Sequence, residues 1–397
     1  MKVGLSTSVV QRGKTGVAQY VFALTKALLD LPDGPELTLF VLAEDLPLFA
    51  FAKGRAHIEV VNEEHRPPVH NILWHQTQLP RRVRALGLDV LHVPSYRRMV
   101  WSNACPTVAT IHDLAPFHVV GKYDRKRTFY GRTVARILAA RQDEIIAISS
   151  VTARDITRFF RIPSEQISVV HNGLDHDRFH PSDDEETAAA AVQRHHLDRP
   201  FFLYVSRLEH PGKNHVRLIE AFNRFKTATQ SPWLLALGGS DWHGAEAIHE
   251  AARRSPFADD IRFTGFISDD ELPALYRAAG AMVYPSLYEG FGLPPIEAMA
   301  CGCPVLTTHR GALAEVVADA AAIVDPEDVP AMAFELERLT TNRFWRAYLV
   351  EAGLQRAARF SWHKCAQATW RVYQRALQQG TTAAVSRRKL ESTAWIS

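Results

Sequence analysis

The feature that most constrains this chain is a pattern that runs once and then starts again. Between Lys2 and Asp175, short apolar runs recur: KVGLSTSVV, ELTLFVLA, HIEVV, DVLHVPS, TVATIHDL, EIIAISS and ISVVHNGLD. Stretches of helical periodicity are interleaved with them, beginning with VAQYVFALTKALLD after the glycine-containing turn QRGKTG. Strand, Gly-containing loop and helix in that order open a parallel α/β sheet. The polar, alanine-rich passage PSDDEETAAAAVQRHHLDRP interrupts the series and predicts a helix and linker near residues 181–198. The alternation then restarts with FFLYVSRL, HVRLIEAFNRFKTA, WLLALGG, IRFTGF, DDELPALYRAA, AMVYPS, PVLTT and AAIVDP. A length of 397 residues already suggests two domains. The pattern predicts two doubly wound, Rossmann-like α/β domains facing each other across a cleft. Ligands in such sheets bind outside the carboxyl ends of the strands.

Composition narrows the functional classes. With 47% hydrophobic and 22% charged residues, the chain is of ordinary globular type. A net charge of +3 is too small to argue for nucleic acid, yet it is unevenly spread. Up to residue 180 there are 23 Lys and Arg against 17 Asp and Glu; beyond it the counts are 23 and 26. The basic residues of the first part cluster in RRVR (81–84), at Arg97 and Arg98, and in YDRKRTFYGR (123–132). Two readings stand for them: solvated helix faces, or contact with an anionic surface such as bilayer headgroups or a phosphate-linked acceptor. Cys105, Cys301, Cys303 and Cys365 do not make a disulfide framework, and Cys301-Gly-Cys303 lacks a second ligand pair at zinc spacing. MKVGLSTSVV has no signal-peptide core, so the cytosolic side of a membrane is expected, with attachment to its inner face left open. The last residues, 381–397, show little periodicity and are expected to be a mobile tail.

The stretch EGFGLPPIEAMACG (289–302) carries the most chemistry. It follows an apolar strand, AMVYPS, so Tyr288 to Gly292 form a strand-end loop whose glycines let backbone approach a ligand closely. Pro294 and Pro295 suit a helix start and Gly302 its end. On that reading Glu289 lies in the loop and Glu297 in the first helical turn, beside N–H groups that favour an anion such as phosphate. An N-terminal glutamate also serves as simple dipole compensation, and for Glu297 alone that alternative stands.

EGFGLPPIE resembles the E-x7-E motif of the retaining nucleotide-sugar glycosyltransferases of family 4, which have the GT-B fold. The resemblance implies that Glu289 contacts hydroxyls of the donor sugar and Glu297 holds the ribose. The amides of Phe291, Gly292 and Leu293 would face sugar and phosphate. YVSRLEHPGKNHVRLIEAF is similar to the family's strand-end Arg followed by Lys-Asn at a helix start, which puts Arg207 and Lys213 on the diphosphate. Fixed cations there would stabilise the charge that a departing nucleoside diphosphate accumulates. TVATIHDLAPF resembles the cleft-lining segment of the first domain, with His112 contacting the donor sugar near its anomeric carbon. RGKTGVAQYV resembles the Gly-rich loop near the donor phosphate. Here Gly13 and Gly16 flank Lys14 and Thr15, whereas the family often has adjacent glycines.

Lesser similarities follow. IRFTGFISDDEL resembles the segment whose backbone, at Phe266 and Ile267, reads the nucleobase. SVVHNGLDHDRF is similar to the turn closing the first domain, and FSWHKCAQATWRVYQRAL to a terminal helix crossing back to it. The implied domains are 1–185 with 362–380, and 198–361. HQTQLP, RALGLDVLHVPS and TIHDL look most like the mannosyl- and rhamnosyltransferase branch.

The expected activity is a retaining, metal-independent transfer of a hexose from a nucleotide-diphosphate sugar to a glycan or lipid-linked acceptor. GDP-mannose is the first expectation for the donor, with dTDP-rhamnose and UDP-hexoses behind it. Domain closure would bring His112 and the Gly13–Gly16 loop over the sugar and exclude water. No metal or other cofactor is expected. Asp175-His176-Asp177 spells D-x-D, the form in which metal-using transferases hold a cation, but it lies far in sequence from the Arg/Lys pair. A glycoside hydrolase would have no use for that pair, and a dinucleotide dehydrogenase would need a longer glycine fingerprint than G-x-x-G. A non-catalytic sugar-nucleotide-binding protein is the alternative of a different class.

Overall fold

The computed structural model describes residues 1–13, 15–101, 104–119, 129–182 and 184–393, with side chains described as far as Gly380. Lys14, much of the basic segment 123–132 and the side chains of the expected tail lie outside the described residues.

The chain divides into two compact units. The first comprises Met1–Leu114, Arg125–Gly173 and Trp362–Ser397; the second comprises Ala115–Asp124 and Leu174–Ser361. The division therefore falls at Gly173, ahead of the polar passage that was expected to be the linker. That passage supplies the helix Glu185–Arg194 to the second unit, with Asp184 accepting from the Thr187 amide at its start.

The first unit holds a seven-stranded parallel sheet: β1 (Lys2–Ser6), β2 (Glu36–Leu42), β3 (His57–Val61), β4 (Val90–Val93), β5 (Thr107–Ile111), β6 (Glu144–Ala147) and β7 (Ile167–Val169). Their spatial order is β3-β2-β1-β4-β5-β6-β7, so the winding reverses between β1 and β4. Helix Gly16–Leu29 is capped by Thr15, whose hydroxyl accepts from the Ala18 amide. It buries Ala18, Val21, Leu24, Thr25 and Leu28, a stripe at helical spacing, in the cluster built on Val3, Leu5 and Leu39. The same cluster takes in Cys365, Ala366, Tyr373 and Ala376 of the terminal helix Trp362–Thr393. Polar contacts fix that helix further. His92 Nδ1 lies 2.7 Å from the Tyr373 hydroxyl, and Arg375 makes a forked pair with the wholly buried Glu144 at 2.7 and 2.9 Å.

The second unit holds a six-stranded parallel sheet: β8 (Phe201–Val205), β9 (Leu234–Gly238), β10 (Ile261–Gly265), β11 (Ala281–Tyr284), β12 (Val305–Thr308) and β13 (Ala322–Val324). The order is β10-β9-β8-β11-β12-β13, and here the winding reverses between β8 and β11. Every pairing in both sheets is parallel, which explains why the strands read as short apolar runs without alternation. The chain enters this unit a first time at Ala115, where Ala115 and Val119 pack on Tyr288 and the His118 ring stacks on it at 4.3 Å.

Candidate active site

A doubly wound sheet opens a crevice where its winding reverses, because the loops from the two adjoining strands turn to opposite faces. In the second unit those loops leave β8 and β11, and they carry Arg207, Lys213 and Glu289. The loop after β8 is tied down at several points. The Tyr204 hydroxyl donates to the Lys213 carbonyl at 2.6 Å, and the Leu287 amide donates to the Gly212 carbonyl at 2.9 Å. Asn214 takes a left-handed backbone conformation at the start of helix His215–Thr229, and its Nδ2 donates to the carbonyls of Pro285 and Pro326 at 3.1 and 2.7 Å.

The Lys213 side chain is thereby delivered to the end of β11. Its ammonium lies 2.5 Å from Glu289 Oε1 and donates to the Tyr284 hydroxyl at 3.3 Å; Tyr284 in turn donates to the same carboxylate oxygen at 3.1 Å. Burial works against the Lys213 charge, but Glu289, together with Tyr204 and Glu209, outweighs it and holds the ammonium above its ordinary value. Burial and the Glu289 carboxylate together push the Tyr284 hydroxyl well up, so it remains a donor. Arg207 stands nearer solvent. Its guanidinium lies 4.9 Å from the centre of the Trp242 ring and 4.0 Å from the buried Glu209.

The opening of helix Leu293–Ala300 departs from the sequence expectation in one respect. The helix begins at Leu293, capped by Gly292, so Pro294 and Pro295 occupy its first turn and Glu297 falls in its second. Dipole compensation therefore does not account for Glu297. Its Oε2 accepts from the Tyr276 hydroxyl at 3.3 Å. Burial raises its carboxyl to about 7, against the opposing pull of Arg178, which is itself held on Asp269. The prolines contribute no N–H, so the amide donors at this helix end are those of Gly292 and Leu293. Gly292 has φ 97°, and a Cβ there would come within 2.6 Å of Leu313. Phe291 is buried edge-on against Phe360 at 5.6 Å. Phe266 is 74% exposed at the end of β10, while Ile267 is buried.

In the first unit, His112 follows β5 with its ring edge-on to Tyr20 at 4.7 Å. Its Nε2 lies 3.1 Å from the Pro94 carbonyl, which can only accept, so Nε2 carries the proton and Nδ1 keeps a lone pair. Burial lowers its pKa to about 4, leaving a neutral imidazole. Gly13 lies in a tight turn with φ 80°, and Gly16 opens helix Gly16–Leu29 with open space about its Cα. The D-x-D triplet is a turn: Asp175 Oδ1 accepts from the amides of Asp177 and Arg178 at 3.2 and 3.3 Å.

The structure thus brings Lys213 and Glu289 into direct contact and places Arg207 on the same loop as Lys213. It adds residues that sequence reading passed over. Tyr204, Tyr276 and Tyr284 read as core aromatics at strand and helix ends, yet each hydroxyl serves the site. Gly311 is the other omission: a Cβ there would fall 2.4 Å from the Glu289 carbonyl oxygen. The Ala312 amide donates to that same oxygen at 2.8 Å.

Comparison with known proteins decides the family. The family model described as Glycosyl transferases group 1 matches residues 185–356, and the model described as Glycosyltransferase Family 4 matches residues 14–178. The chain belongs to the group 1 glycosyltransferases of family 4. It is 28% identical to the O-antigen chain mannosyltransferase B of Escherichia coli over 94% of its own length and 99% of that protein's. It is 30% identical to the serotype-specific mannosyltransferase WbdA of the same organism over 72% of this chain, spanning 36% of WbdA's length. Its fold is GT-B. The crystal structure of Anabaena Alr3699/HepE in complex with UDP-glucose matches with a TM-score of 0.72 at 20% identity, covering 92% of this chain and 97% of that one. In this family-4 glycosyltransferase no helix among the described residues is long and apolar enough to cross a membrane.

Proposed function

We propose that the enzyme transfers mannose from GDP-mannose to a glycan or lipid-linked acceptor, with retention of anomeric configuration and without a metal. The observation that carries this reading is the meeting of Lys213 and Glu289 at the carboxyl ends of β8 and β11. In the proposed complex, Lys213 and Arg207 take the diphosphate, and the Gly292 and Leu293 amides support it. Glu289, released from part of its bond to Lys213, accepts from sugar hydroxyls. Glu297 and the backbone at Phe266 and Ile267 hold ribose and base. His112 offers its Nδ1 lone pair to a sugar hydroxyl. The bond from the anomeric carbon to the phosphate oxygen breaks, and its electron pair leaves with the diphosphate under the two cations. The acceptor oxygen attacks the same face, and its proton passes to the departing phosphate oxygen. Neither Glu289 nor Glu297 moves a proton in this scheme.

Mannose is favoured by the relatives' activities as named, mannosyltransferase B and WbdA. A UDP-hexose is the second reading, favoured by the UDP-glucose complex of the structural neighbour. A thermal-shift screen of nucleotide sugars separates them, because a ligand that binds only the folded state raises its stability. Turnover of GDP-mannose that continues in excess chelator supports metal independence, and the anomeric coupling of the product reports retention. Binding without turnover on any acceptor would leave a sugar-nucleotide-binding protein. Contact with the inner face of a membrane is part of the proposal, supported by exposed Arg81, Arg84, Phe129, Arg132 and Ile137 in the first unit. Flotation with anionic vesicles at low salt tests it.

A further inference from the structure

The first unit has a reversal of its own, between β1 and β4. The loop leaving β4 carries Arg98, and the guanidinium is half-buried near the Tyr130 hydroxyl and the like charge of Arg97. Its Nε donates to Asn71 Oδ1 and its Nη1 to the Arg97 carbonyl at 3.2 Å, where the Tyr130 hydroxyl also donates at 3.0 Å. No carboxylate among the described residues pairs with it. The neighbouring His75 is neutral. Its Nδ1 donates to the Asn71 carbonyl at 2.7 Å, its Nε2 accepts from the Ser6 hydroxyl at 2.8 Å, and burial drops its pKa to about 3. The remaining nitrogen of Arg98, Nη2, has no partner among the described residues and is not sealed from solvent. Burial already pulls this guanidinium below its ordinary value, so its charge is held at some expense.

Stapling the loop to helix Pro68–Ala85 through Asn71 needs one neutral donor, not a cation with an open edge. A planar fork with a free nitrogen suits one class of ligand, a phosphate or carboxylate. Its position, where the winding of a sheet reverses, is where such folds take a ligand. We infer that the acceptor bound by the first unit carries an anionic group, phosphate or carboxylate, which Arg98 receives beside the carboxyl ends of β1 and β4. This rests on the transferase reading above. The Ser8 hydroxyl, 3.5 Å from Asn71 Oδ1, borders the same place.

The test uses the full chain saturated with GDP, so that the proposed diphosphate site is filled, and titrates inorganic phosphate and acetate separately at constant ionic strength. The expected result is saturable binding of one of them, which identifies the source, weakened tenfold or more in Arg98→Gln and less in Arg98→Lys. GDP affinity in both variants stays within twofold of wild type, and Lys213→Ala leaves the second anion in place. Arg98→Lys reports the same site should the glutamine variant not fold. Wild-type protein that binds neither anion under GDP, or Arg98→Gln that binds as wild type does, overturns the inference. Failure of GDP itself to bind would count against the donor reading instead.

Discussion

The Lys213 ammonium and the Glu289 carboxylate touch at 2.5 Å across 76 residues of sequence, with only 12% and 16% of their side chains exposed. A pair this withdrawn from water is stable only as a pair. Removal of one partner strands the other charge, at a typical loss of about 3–5 kcal/mol. Lys213→Ala is therefore expected to lower the unfolding midpoint markedly and to reduce turnover by about 10²–10³-fold, the usual scale for losing one transition-state charge contact. The double variant Lys213→Met, Glu289→Gln should recover much of the stability and none of the turnover. Denaturant titration beside donor kinetics checks both halves; a double variant that regains turnover sinks the assignment of Lys213.

Gly311 controls where Glu289 sits. It has φ 62°, and its Cα presses on the Glu289 backbone so closely that a Cβ would lie 2.4 Å from the carbonyl oxygen. Gly311→Ala is expected to cost about 1–3 kcal/mol through overpacking and to displace the 289–292 loop. Since Glu289 is assigned to the sugar and not to the nucleotide, kcat should fall at least tenfold while GDP affinity changes little. Equal losses of GDP binding and turnover would show that the loop serves the nucleotide instead.

With the role proposed for it, Glu297 is expected to make donor binding sensitive to pH. Its folded pKa of about 7 stands above that of an exposed glutamate, near 4.3. Ribose hydroxyls bind best to the ionised form, so nucleotide affinity should rise with pH from 6 to 8, by up to about tenfold per unit below the pKa. Folding responds in the opposite sense. The folded chain binds the extra proton between about pH 4.3 and 7, so the Glu297 contribution to stability declines as pH rises through that window. Glu297→Gln should flatten both profiles. A variant with the wild-type slope in GDP affinity would refute the ribose assignment.

Arg375 neutralises Glu144, which is wholly buried beneath the terminal helix. Arg375→Ala is expected to destabilise the first unit by about 3 kcal/mol, the lower end for breaking a buried pair, because Arg375 itself is 47% exposed. Adding Glu144→Gln should return part of the loss. Nucleotide affinity, assigned by the proposal to the second unit, should be unchanged in both.

Much of this was legible in the sequence because parallel strands buried on both faces are short apolar runs, and the glycines and prolines around Glu289 mark where the chain turns. Arg207, Lys213 and Glu289 stood out because EGFGLPPIE and YVSRLEHPGKNHVRLIEAF resemble family motifs; an isolated Arg or Lys on a surface would carry little weight. Tyr204, Tyr276 and Tyr284 did not, since their rings fit a core and only the partner of each hydroxyl, 21 residues away for Tyr276 and Glu297 and 82 for Tyr204 and Ser286, shows another use. The Arg98 environment was illegible for a similar reason. Asn71 and Arg98 are 27 residues apart, and Ser6 and His75 are 69 apart. Glu297 falls in the second turn and not the first because the helix starts at Leu293, one residue ahead of the two prolines that mark its start in the sequence.

The terminal helix has a consequence for how the protein is made. Val3 and Leu5 leave the ribosome long before the residues that close the cluster they join, Cys365, Ala366, Tyr373 and Ala376. Domains usually mature in the order of their synthesis. In this chain the order is inverted: every strand of the second unit is already translated when the first still lacks one wall. The first unit must wait, partly assembled, for helix Trp362–Thr393 to arrive. A ribosome that stops at Ser361 would release a finished second unit joined to an unfinished first.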